Sequence, residues 1–108
     1  VYFDGISVTA EPVKVRLLRQ TTAGTMTALT PIERTISGIT LLATALHTAT
    51  AEPTAGNVLA KREVHPQGGY QEKFVVGEEP MIGSAGRVGI ECTAPAAVNV
   101  IAEIVFEE

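Results

Sequence analysis

The feature that most constrains this chain is alternation with a period of two. Short runs of apolar and polar residues alternate, and turn-forming residues interrupt them about every 8 to 12 positions, which is the spacing of a sandwich or small barrel. Val13, Val15 and Leu17 alternate with Lys14, Arg16 and Leu18. That pattern predicts a half-buried strand of about eight residues, with Pro12 at its entry, where proline is tolerated. The run Thr21-Thr22-Ala23-Gly24-Thr25 then reads as a turn with Gly24 at positive φ. Further strands are expected near 25–30, 34–36, 40–50, 58–64, 70–76, 87–93 and 97–106. The stretch 41–46 carries Leu and Ala and is also compatible with a short helical turn. Runs 58–64 and 70–76 read as a hairpin across His65-Pro66-Gln67-Gly68-Gly69. The expected fold is therefore an all-β sandwich, jelly-roll or immunoglobulin-like, of about 7–9 short antiparallel strands in one domain over residues 1–108. With one Cys and no Trp, the core signature of true immunoglobulin domains is absent.

Composition bounds what such a domain does. Over 108 residues, hydrophobic side chains make up 45% and charged ones 19%, which excludes a disordered chain. Average usage is about 25% charged, so part of the surface is expected to be covered by a partner. Net charge is -4, and among the eight cations only Lys61 and Arg62 are adjacent. No basic stripe exists to neutralise phosphates, so nucleic acid is not an expected partner. No apolar run approaches the roughly 20 residues of a membrane-spanning helix, and no membrane partner is expected. No signal peptide is visible. Eleven of thirteen threonines lie between Thr21 and Thr54, where β-branched side chains favour extended backbone with a solvated face.

A search for chemistry returns little. Cys92 lies in the alternating run Gly89-Ile90-Glu91-Cys92-Thr93 and reads as a small buried thiol rather than a nucleophile, because no base is tied to it. His47 and His65 are far apart and lack Cys, Asp or Glu at metal-ligand spacing. His65 opens a turn whose backbone its side chain can bond. Glu78-Glu79 and Glu107-Glu108 are neighbours, and neighbours on a strand point to opposite faces, which suits neither a glycosidase pair nor a calcium loop. Gly83-Ser84-Ala85-Gly86 leads into an expected strand, not a phosphate-binding helix. No catalytic, cofactor-binding or metal-binding residues are expected, and the chain reads as non-enzymatic.

One pattern stands out in the expected last strand. Val98, Val100, Ala102, Ile104 and Phe106 form one row, read as a core face. The opposite row, Asn99, Ile101, Glu103, Val105 and Glu107, carries two aliphatic side chains where a solvated face would be polar. Cover by a loop of the same chain and cover by a neighbouring subunit both explain it. Ile101, Glu103 and Val105 are accordingly the candidate interface residues. A covered Glu103 would need a cation, from Lys14, Arg16 or Arg87 of the same chain or a neighbour.

The sequence His65-Pro66-Gln67-Gly68-Gly69-Tyr70, then Gly77-Glu78-Glu79-Pro80, then Thr93-Ala94-Pro95-Ala96-Ala97-Val98-Asn99-Val100, ending in Phe106-Glu107-Glu108, resembles a group of small virion proteins of tailed bacteriophages. The resemblance covers about the C-terminal half and rests on turn and strand-edge motifs that carry no chemistry. It implies a virion structural protein at the capsid surface, of the decoration or cement type. Such a protein forms a trimer or dimer, binds the major capsid protein and uses no cofactor. Competing expectations are a tail or head-fibre module and a carbohydrate-binding or adhesin-like sandwich. The latter should show aromatic platforms or calcium carboxylates, and this chain has five aromatic residues and one Asp.

Overall fold

In a computed structural model the described residues are 1–3, 11–34, 38 and 40–108. Among them there is no helix, and every strand pairing is antiparallel. The strands are β1 (Tyr2–Phe3), β2 (Val13–Gln20), β3 (Thr25–Leu29), β4 (Ala45–Ala51), β5 (Ala55–Val64), β6 (Val88–Thr93) and β7 (Val100–Ile101). They form three small sheets, ordered β5-β2-β6, β3-β4 and β1-β7.

The central strand β2 forms where the alternation placed it, directly after Pro12. Val13 pairs with Val64 and Val15 with Arg62 on one side, while Val15 pairs with Cys92 and Leu17 with Ile90 on the other. These residues share one sheet face. Phe3 of β1 packs onto it, and Phe3, Val13, Val15 and Val64 make the core cluster, with Tyr70, Ile90, Cys92 and Val98 at its margin. Val13 is fully buried. The opposite face carries Lys14, Arg16 and Leu18. Arg16 donates through Nε to Glu91 Oε1 (2.9 Å) and through Nη2 to the same oxygen. Leu18 is only 1% exposed, so this second face of the sheet is covered at that position.

β2 and β5 continue into β3 and β4. The paired positions run on from Val13 with Val64 to Leu29 with Ala45, so residues 13–29 and 45–64 form one long antiparallel ribbon. It is crimped where Thr21–Gly24 faces Glu52–Thr54. There the Thr21 amide donates to the Thr54 carbonyl (2.9 Å) and the Thr54 amide donates to Thr22 Oγ1 (2.9 Å). Gly24 turns the crimp at φ 62, as expected, and a Cβ there would meet the Ala51 carbonyl and the backbone of Pro53. The far half, β3–β4, stands away from the core as a two-stranded arm.

Several expected strands differ. Residues 70–76 form no strand, and β5 takes β2 rather than that neighbouring run as its partner. The ribbon already brings β5 to β2, and Tyr70 is instead held by its amide on the Val1 carbonyl (2.8 Å) and by the Arg62 guanidinium 5.6 Å above its ring. Of the expected strand 97–106, only Val100–Ile101 pairs, with Tyr2–Phe3. The 41–46 stretch makes no helical turn; Ala45 and Leu46 open β4. The expected strand at 34–36 has Thr35 and Ile36 outside the described residues.

Candidate interaction surface

Chemistry-bearing side chains are dispersed, and most bond their own turns. His65 Nδ1 accepts the Gln67 amide (3.1 Å) and the His65 carbonyl accepts the Gly68 amide (2.8 Å), closing the turn over the buried Pro66. His47 sits on the arm with Nδ1 against Thr48 Oγ1 (2.8 Å). Glu79 Oε2 accepts the Gly77 amide (2.6 Å), so its carboxylate serves the 76–79 turn. Among the described residues no group of three or more His, Cys, Asp or Glu is placed to hold a metal ion. Cys92 lies half-buried at the core margin, and burial pushes its pKa above the ordinary thiol value. A thiol so shifted is mostly protonated at neutral pH, the opposite of an activated nucleophile.

The surface is more informative. A compact monomer of 11.3 kDa exposes about 5,700 Å². This chain exposes 8151 Å², an excess of about 2,400 Å² over that expectation. Apart from Tyr2 and Val58, the large apolar side chains at the surface fall into three groups along the chain. The first is the C-terminal tail, where Ile101 is 75% exposed and Val105 is exposed as well. Val100, Ile104 and Phe106, expected to be a core row, are exposed as well. Only two residues of that run find a ladder partner, so neither row is drawn fully inward. The second group comprises Phe74, Val75, Val76, Met81 and Ile82, with Val76 at 92%. The third lies on the arm and its tip: Leu29, Ile32, Leu42 and Leu46.

Tail and arm are neighbours. Val100 and Ala102 line a cleft of about 340 Å³ together with Leu18, Met26, Ala49 and Ile90 at the base of the arm. Farther along, the Glu108 carboxylate accepts the Leu42 amide (3.1 Å) and the Ala43 amide (2.6 Å) near the tip. The tail therefore runs beside the arm from base to tip. Among the described residues no backbone–backbone hydrogen bond joins the two.

The three candidate interface residues thus lie together on the tail. Of the cations considered for Glu103, Arg16 is engaged by Glu91, and Lys14 lies in a shallow depression with Glu11 and Glu63. The arm and the 74–82 group were not expected as surface. The signal for the latter is Phe74-Val75-Val76, three consecutive apolar residues, which no two-faced strand can bury on one side. No protein-family model, no curated protein and no solved structure matches this chain.

Proposed function

We propose that this chain is a non-enzymatic structural protein of a tailed-phage virion, a decoration or cement protein that binds the shell of the major capsid protein and associates with itself as a trimer or dimer. The observation that carries the reading is the exposed apolar surface. An interface of standard size buries about 800 Å² per partner, and the excess of total exposed surface, polar and apolar together, is about three times that. Larger values belong to obligate assemblies, whose interfaces resemble a core cut in half. The dispersed polar groups favour a scaffold over a catalyst, and the virion assignment draws on the resemblance at residues 65–70, 77–80 and 93–108. In this reading the Phe3 layer on the β5-β2-β6 sheet is the beginning of a two-sheet sandwich that assembly completes, and Ile101, Glu103 and Val105 lie in the interface.

Mass photometry of the purified protein, alone and with empty capsids, tests it. The expected result is a dimer or trimer in isolation and added mass on the shells. A monomer at every concentration that leaves shells unchanged overturns the reading.

A further inference from the structure

The arm is incomplete as a sheet. Two-stranded ribbons are marginal in water, and three strands with one apolar face are the smallest independently stable unit. The register places Met26 opposite Ala49 and Ala28 opposite Leu46, so the paired positions on one face of the arm are apolar. Thr25, Thr27 and Leu29, with Ala51, His47 and Ala45 opposite them, occupy the other, which is mixed. No charged residue falls in β3 or β4, although proteins ordinarily guard free strand edges with charge, proline or a bulge. β4 does carry such a guard: Thr48, β-branched, sits at φ 50 beside a register shift, which breaks its edge. β3 has no such break, and among the described residues nothing pairs with its outer edge.

The same chain holds a stretch outside any strand whose sequence pattern matches. In the tail, Ala102, Ile104 and Phe106 alternate with Glu103, Val105 and Glu107. Laid along β3, the first row would extend the apolar face, and the second would join the Thr and His face. Within one molecule the direction is unsuitable: the tail runs base to tip, as β3 does, so the two are parallel, the weaker ladder. A tail arriving from another molecule is free to run antiparallel.

We infer that residues 102–108 of one copy add as an antiparallel third strand to the β3 edge of a second copy. The occupant of that edge is thus this chain's own tail, exchanged between subunits. The excess exposed area exceeds what a stable pair needs, and the uncharged β3 and β4 set no like charge against Glu103, Glu107 and Glu108 of an incoming tail. This rests on the self-association in the reading above, but not on the capsid.

The test uses the full chain. Ile104→Pro in the tail and Ala28→Pro on the β3 edge each remove a ladder donor at an exposed position. Each should weaken self-association in sedimentation velocity by at least about tenfold, whereas Ile104→Val should keep it. A synthetic peptide of residues 98–108, in excess, should dissolve the wild-type oligomer and slow hydrogen exchange at the β3 amides; a scrambled peptide should do neither. An oligomer indifferent to both prolines and to the peptide overturns the inference. Shells decorated by a protein that stays monomeric overturn it while leaving the capsid reading intact. Tail-dependent oligomers that ignore shells do the reverse. Circular dichroism checks each proline variant; should Ala28→Pro unfold, the peptide experiment on the wild type decides.

Discussion

Leu18 and Val13 are both buried on β2, but they face different surroundings, and replacing each by Ala separates two contributions to stability. Val13 lies in the closed cluster with Phe3, Val15 and Val64. Leu18 lies on the opposite face and borders the open cleft at the base of the arm. Leu18→Ala removes three buried carbons, a transfer loss of about 2.4 kcal/mol at roughly 0.8 per carbon. The emptied space joins the cleft instead of forming a sealed void, so the cavity cost is small and the total stays near 2 to 3 kcal/mol, the bottom of the usual range. Val13→Ala removes two carbons, about 1.6 kcal/mol, and leaves a closed void that adds roughly 1 kcal/mol. The two variants should therefore lose nearly equal stability despite the difference in carbon count. Urea unfolding at one fixed protein concentration, with unchanged m-values, measures both. A Leu18→Ala loss above about 4 kcal/mol together with a Val13→Ala loss below 1 would refute the assignment of open and closed surroundings.

Other outcomes are expected. Gly24→Ala should destabilise by about 2 kcal/mol or more, because φ 62 disfavours a side chain and the added Cβ meets the Ala51 carbonyl; thermal unfolding checks this. Ile101→Lys with Val105→Lys should leave the circular dichroism spectrum unchanged and abolish self-association in sedimentation velocity; an unchanged assembly state would remove that row from the interface. Cys92 should label slowly in native protein and quickly in denaturant. Its raised pKa favours the neutral thiol in the fold, so that contribution to stability is complete below the unfolded thiol pKa and is lost as pH rises through the folded value; unfolding midpoints compared with Cys92→Ser between pH 7 and the alkaline limit should show the decline. Arg16→Ala should cost no more than about 1 kcal/mol, since both ends of its ion pair with Glu91 are about a third exposed, and 1 M salt should narrow the difference from wild type.

Much of β2 was readable because Pro12, the Val13-Val15-Leu17 row and Gly24 are local signals, and each acts within a few residues. The His65 turn was readable for the same reason: imidazole and amide are two residues apart. Pairing was less readable. Residues 58–64 and 70–76 lie close in sequence and both look extended, yet β5 pairs with β2, because a ribbon reaching back from Leu29 and Ala45 delivers it there. Nothing in residues 70–76 announces that a remote strand has already taken the edge. Ile101 and Val105 are exposed, but the strand whose alternation set them on an outward row forms only at Val100–Ile101. The exposure of the opposite row was not legible, since alternation says which side chains share a face and not whether anything lies on it.

The continuity of the long ribbon bears on how the chain folds. Pairing Gln20 with Ala55 directly closes a loop of about 34 residues, whereas pairing it after β3–β4 has zipped closes only the crimp, about seven. The difference in closure entropy is about 1.4 kcal/mol, roughly tenfold in rate. The arm buries little in the finished molecule, yet it serves as the guide that brings the two core strands into register. Loosening it should slow folding more than it hastens unfolding, giving an element outside the core a high share in the transition state.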